Sequence, residues 1–217
     1  MAPKIIKTPH ETLQEKLSSI CHEVLDDTDS FLCVDISSVN LKEDIKQGIT
    51  KIECTISIGK ERTKIKGFGS GIVDALYGSI VSRLEEKYCS FEEIKLIDFA
   101  VESNFDKTTI KKSKTDAKIE VVLLVQSGEN ARFVFRSESN SLISACITAV
   151  CGVIEYFINS EEAVQRLYSL IQDSQNRNRG DLTDKYLFML SELVKNVSYE
   201  NKIKLLSEVH MNCESEK

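Results

Sequence analysis

The sequence predicts an α+β domain: two duplicated βββα units, helices packed on antiparallel sheets, and helical extensions at both ends. Three observations predict it. Two stretches alternate apolar and polar residues, and each returns as a hairpin. A run of small residues follows each hairpin, and an apolar helix follows each run.

The elements can be justified in order. Glu11 to Asp26 sets Leu13, Leu17, Ile20, Val24 and Leu25 at helical spacing behind Thr8-Pro9, which predicts an amphipathic helix. Val34-Asp35-Ile36-Ser37-Ser38 reads as a first strand. Lys51-Ile52-Glu53 then opens a run with Ile52, Cys54, Ile56 and Ile58 on one face and Glu53, Thr55 and Ser57 on the other. Gly59-Lys60 signals a turn, and Thr63 to Lys66 returns as a short strand. Gly67-Phe68-Gly69-Ser70-Gly71 leads into a helix with Val73, Leu76, Tyr77, Ile80 and Leu84 in one stripe.

The second unit repeats this plan. Ile97-Asp98-Phe99-Ala100-Val101 matches the first strand, and Lys118-Ile119-Glu120 opens a run with Ile119, Val121, Leu123 and Val125 on one face. Arg132 to Arg136 returns after Ser127 to Asn130. Ser137-Glu138-Ser139-Asn140-Ser141-Leu142-Ile143-Ser144-Ala145 aligns without a gap with Gly67 to Ala75. The extra residues fall in loops, at Asp106 to Thr115 and Ser127 to Asn130. The helix from Leu142 to Phe157 is apolar nearly all round and so needs cover on two sides. One side faces the sheet. The other needs a further helix of the chain or another subunit, and a homodimer interface is expected there.

Glu161 to Gln172 continues as helix, and Asp173 to Asp181 is a polar break. A helical tail follows, with Tyr186, Leu187, Leu190 and Leu193, then Ile203, Leu205, Leu206 and Val209. The expected organisation is a helical extension at 1–29, a duplicated domain at 30–172 (units about 30–90 and 91–160, plus the continuing helix), and a linker with tail at 173–217.

The composition bounds the function. A net charge of -6 lacks the basic balance of a general nucleic-acid binder, and no nucleic-acid partner is expected. No apolar run approaches the roughly 18 residues of a membrane span, and no secretory leader is visible; no membrane partner is expected. The seven cysteines are odd in number and show no CxxC spacing. They read as reduced, buried small hydrophobes of a cytoplasmic protein.

Chemistry is hard to find. The three histidines, His10, His22 and His210, all lie in the flanks and form no metal motif. No cofactor, metal site or catalytic residue is expected. The glycine run before the first helix is neither a P-loop nor a dinucleotide fingerprint. It suits a tight turn, and its backbone could also meet a carboxylate at the helix N-terminus. Asp35 and Asp98 stand at equivalent places in the two units and read as symmetric structural or ligand-binding positions. Lys107, Lys111, Lys112, Lys114 and Lys118 cluster around one loop, a solvated face or an anion-attracting patch.

Some of these residues resemble a known family. Ile65 to Ile80, centred on Gly67-Phe68-Gly69-Ser70-Gly71-Ile72-Val73-Asp74-Ala75, resembles the G-x-G-x-G-P-V-D-A signature of the regulatory domain of 2-isopropylmalate and citramalate synthases. Val34 to Val39 is similar to that family's first strand, and Thr115-Asp116-Ala117-Lys118-Ile119-Glu120-Val121 to its T-x-D-A segment. Ser144-Ala145 and the helix to Asn159 resemble its D-I-I-x-A-S…A-L-N ending. Ile72 replaces the family's proline, Ser137 and Ser139 its second pair of glycines, and Ser144 its aspartate. The resemblance implies homodimerisation and a feedback effector, leucine or isoleucine. It also implies a catalytic (β/α)8 barrel elsewhere, since about 250 residues of barrel exceed this chain. The expected function is a regulatory module that is not itself an enzyme. It would bind a small branched-chain amino acid or related metabolite and control a separately encoded acyltransferase; the alternative is a ligand-free dimerisation scaffold. Under that implication Leu76, Tyr77 and Ile80 form pocket walls, Asp35 meets the ligand's ammonium, and Gly69 and Gly71 its carboxylate.

Overall fold

The alternation seen in the sequence closes into two separate three-stranded antiparallel sheets. The computed structural model describes residues 9–26, 30–103, 118–128 and 131–196. Residues 106–115 with four of the clustered lysines, His210, Cys213 and the apolar tail residues Ile203 to Val209 lie outside the described residues. Helix α1 (Pro9–Leu25) leads to sheet A, made of β1 (Val34–Asp44), β2 (Ile49–Ile58) and β3 (Glu61–Gly69) in that spatial order. Helix α2 (Ile72–Leu84) follows, then a short 3₁₀ turn at Cys89–Glu92. Sheet B is β4 (Ile94–Ser103), β5 (Ile119–Ser127) and β6 (Ala131–Ser139). Helices α3 (Leu142–Asn176) and α4 (Gly180–Asn196) end the described chain. Two βββα units are therefore present, as the repeat requires.

The register corrects the alignment of the copies in two places. Ile52 pairs with Gly67, and Val121 pairs with Ser137, so Ile52 corresponds to Val121 rather than to Ile119. The two Lys-Ile-Glu runs are out of step by two residues. A shift of two keeps each side chain on its face, which is why the alternation still read correctly. In the first strands, Val34 pairs with Ile58 and Ile94 with Ser127, and each strand has a bulge three residues later, at Ser37 and Ile97. Asp35 therefore corresponds to Lys95, not to Asp98, and the two aspartates are not symmetric.

The inner faces carry the core. Ile52, Cys54, Ile56 and Ile65 of sheet A are buried, as are Val121, Leu123, Val125, Phe133 and Phe135 of sheet B. Helix α2 buries Val73, Ala75, Leu76, Ile80 and Leu84 against β3 and β2. Each large side chain removed from water here contributes about 1.5–3 kcal/mol.

Helix α3 runs 35 residues without a break, joining the second unit's helix to the segment from Glu161. It lies on β5 and β6, and its remaining sides are covered by α1, α2 and α4 of the same chain. The all-round apolar pattern is thus satisfied within one chain, so the mid-helix surface expected to meet a second subunit is already occupied. One 18-residue window of α3 has mean hydropathy 1.7, long and apolar enough to cross a membrane by composition. That departs from the expectation of no such stretch, and 56% of the window is buried inside the fold, as in a core helix. The polar break shortens to Arg177–Arg179, with Asn178 at a φ of 54°. Helix α4 turns back and buries Met189, Leu190 and Leu193.

Helix α1 buries Leu17, Ile20, Cys21, Val24 and Leu25. It also covers an edge strand: Val134 N of β6 donates to Gln14 Oε1 at 3.0 Å. Ion pairs Lys16–Glu192 and Lys185–Glu23 connect α1 to α4.

Candidate functional site

The glycine run is the end of a strand and a helix cap, not a loop. Gly67 and Gly69 belong to β3, and Gly71 is the N-cap residue of α2 with extended backbone. A Cβ on Gly69 would stand 2.5 Å from Ala75 N and 2.8 Å from Ala75 Cα; on Gly67 it would collide with Ser79. These two glycines let α2 lie directly on β3. Gly71 has open space around its missing Cβ, so no close approach explains it.

The two units meet the same demands with exchanged residues. In the first, Asp74 at the third helical position reaches back, and Ser70 N donates to its Oδ2 at 2.8 Å, while Gly71 offers no side chain. In the second, Ser141 is the cap, accepting from Ser144 N at 3.4 Å. One unit keeps the acidic half of a capping box and the other the hydroxyl half. Contact between strand and helix follows suit. Gly67 faces Ser79 in the first unit, and buried Ser137 and Ala149 hold the equivalent positions in the second.

The six residues singled out from the sequence do not converge in one chain. Leu76 and Ile80 are sealed in the core at 0% and 1% exposure. Tyr77 is half-buried and donates from its hydroxyl to Ile94 O at 3.3 Å, and burial pushes its phenol well above the ordinary value. Gly69 and Gly71 lie at the start of α2. Asp74 already occupies that anion-favouring position. Asp35 pairs across β1 with Ser57, exposed on the sheet face away from α2. Of the clustered lysines, Lys118 is described and pairs with Glu138 at 2.9 Å.

Sequence reasoning missed a second constellation, on α3. Asn159 is 1% exposed, and its amide grips the lead-in to β1. Leu32 N donates to Asn159 Oδ1 at 2.8 Å, Asn159 Nδ2 donates to Leu32 O at 2.9 Å, and Val34 N donates to Glu155 Oε2 at 2.8 Å. Beside them, Gln14, Ser18, Cys21 and His22 of α1 and Gly152, Glu155, Tyr156 and Asn159 of α3 line a half-open cleft of about 210 Å³, together with Phe31 and Phe135. The signal was available: Glu155 and Asn159 are polar residues on an otherwise apolar stretch, four apart and hence on one face.

Four thiols among the described residues are shielded in the core. Cys21, Cys54, Cys146 and Cys151 are buried and free, and Cys33 is exposed. Burial pushes the Cys21 thiol up to about 11 and Cys151 up to about 12, the latter raised further by the charges of Asp35 and Glu155. Among the described residues no three His, Cys, Asp or Glu side chains are placed to hold a metal ion.

Among curated proteins none matches the chain significantly. Residues 11–158, which include both βββα units up to the middle of α3, match the model of the LeuA allosteric (dimerisation) domain, and the chain belongs to that family.

Proposed function

We propose that this protein is a regulatory module that self-associates and takes a small branched-chain amino acid or related metabolite as effector. It would control a leucine- or isoleucine-pathway acyltransferase carried on another chain, in the cytoplasm. The observation that carries this reading is the family membership over residues 11–158, with the duplicated βββα plan intact.

Self-association has a surface to use. Phe99 and Val101 pair with Val121 and Leu123's strand on the inner face of sheet B, yet remain 41% and 46% exposed. Leu142 and Ile143, at 42% and 45%, start α3 at the same end of that sheet. Four large apolar side chains gathered at one end are the kind of patch that a second copy covers. Asp35, Gly69, Gly71, Leu76, Tyr77 and Ile80 remain the proposed effector set. With Leu76 and Ile80 sealed within one chain, the effector would depend on rearrangement or on a second subunit.

That sealing, together with Asp74 sitting at the α2 N-terminus, favours one other reading: a dimerisation scaffold without an effector. Calorimetry and thermal shift with leucine, isoleucine and valine separate the two. Heat and a raised Tm with one of them supports the effector reading, and silence with all three leaves the scaffold. Light scattering reads the assembly state in the same samples.

A further inference from the structure

The cleft between α1 and α3 is separate from the effector set and has its own chemistry. It exists because both helices present small or polar residues where they cross. Ser18 and Cys21 on α1 stand opposite Gly152 on α3, leaving about 210 Å³, room for a molecule of about seven heavy atoms at about 30 Å³ for each water-sized unit. Its aromatic walls are Phe31, Phe135 and Tyr156. The Phe31 ring is held by stacking on His22, with centroids 4.2 Å apart and planes at 12°. Tyr156 is held by Phe133 and Phe135, with centroids at 5.2 and 5.6 Å.

One charged group at this cleft lacks a partner of opposite charge. Glu155 uses Oε2 to accept the Val34 amide, and among the described residues no cation pairs with the carboxylate. The Tyr156 hydroxyl is buried out of reach of a water-sized molecule, so Tyr156 gives the cleft its ring and not its oxygen. Half-buried carboxylate oxygens without a counter-ion are costly, and they accept hydrogen bonds. Aromatic faces around them attract a cation.

We propose that the α1–α3 cleft binds a small primary ammonium ion, with its charge on Glu155 and its alkyl part against Phe31, Phe135 and Tyr156. The ammonium supplies the missing counter-ion of Glu155. Because Glu155 and Asn159 also hold Leu32 and Val34, an ion bound here would tighten the junction between α1, the lead-in to β1 and α3.

The test is a titration of the full-length ¹⁵N-labelled protein with n-butylammonium, followed at the Val34 and Gly152 amides. Neutral 1-butanol and anionic butyrate serve as matched controls. The expected result is saturable shifts with n-butylammonium at millimolar concentration and at least about tenfold weaker responses to both controls. Glu155→Gln keeps an oxygen for Val34 N and should weaken n-butylammonium binding by at least about tenfold. No shift with n-butylammonium, or equal shifts with 1-butanol, overturns the proposal on the wild-type protein alone. Unchanged affinity in a folded Glu155→Gln variant overturns it too. Leucine binding, tested in parallel, should survive Glu155→Gln, so a failure of the effector reading and a failure of this one remain distinct.

Discussion

The side-chain amide of Asn159 hydrogen-bonds both main-chain groups of Leu32, accepting from its N–H at 2.8 Å and donating to its carbonyl at 2.9 Å. A side chain on α3 thereby does for the lead-in to β1 what a neighbouring strand would do. The same Nδ2 also donates to Glu155 O within the helix at 2.8 Å. Asn159→Ala leaves both Leu32 groups unpaired beside the core, and a loss of about 1–3 kcal/mol is expected. Urea unfolding measures it, and a midpoint within error of wild type would refute it.

The glycines of the first unit should behave unequally. Gly69→Ala forces a Cβ against Ala75 backbone and should cost about 1–3 kcal/mol, seen as a lowered Tm. Gly71→Ser puts a hydroxyl where the second unit has Ser141, on backbone already extended. It should be neutral or stabilise by up to about 1 kcal/mol. If both variants lost the same stability, the contact between β3 and α2 would not be the reason for the glycines.

Phe99→Asp tests the apolar end of sheet B. The side chain is largely outside the single-chain core, so Tm at low protein concentration should hardly move. Light scattering should show the variant as a monomer at concentrations where the wild type is a dimer. A dimer that survives Phe99→Asp and Val101→Asp together places the interface elsewhere.

The buried thiols give stability a pH dependence at the alkaline end. An unfolded thiol ionises near pH ~8.5. The folded values are about 11 for Cys21 and about 12 for Cys151. Between these limits the unfolded chain has released protons that the folded chain keeps. Stability is therefore full below ~8.5, falls as pH rises, and stops falling on this account above about 12. Cys21→Ala should flatten the fall between pH 9 and 11 in denaturant titrations. Iodoacetamide at neutral pH should label Cys33 well before Cys21, Cys54, Cys146 and Cys151, as read by peptide mass.

How much of this was legible in the sequence differs from element to element. Helical stripes were clear because Leu17, Ile20, Val24 and Leu76, Ile80, Leu84 recur at 3.6-residue spacing. The inner strand faces were clear because a two-residue slip preserves them. Val34-Asp35-Ile36 and Ile97-Asp98-Phe99 look alike locally but stand three residues apart in register, so the equivalence of Asp35 and Asp98 was misread. Apolar residues all round α3 announced burial but not by what. Only the tertiary arrangement shows that α1 and α4 of the same chain do it. The cleft escaped notice because Gln14 and Ser18 lie more than a hundred residues from Gly152 and Glu155, and Gly152 leaves a gap that only its opposite neighbours reveal.

The exchanged pairs in the two units have a consequence for how such a duplication ages. A chain carrying two copies of the first unit, or two of the second, would have been mechanically sound at each copy. A hybrid unit would not: a Ser137-type strand laid under a Ser79-type helix sets two hydroxymethyl groups in a space sized for one. Drift between the copies was therefore ordered at the strand–helix contact, where the helix residue had to lose its hydroxyl before the strand residue gained a side chain, while the cap was free to change alone. Once taken, those steps made the halves non-interchangeable parts, free to specialise separately, one keeping its helix close on glycines and the other growing its helix into the spine of the molecule.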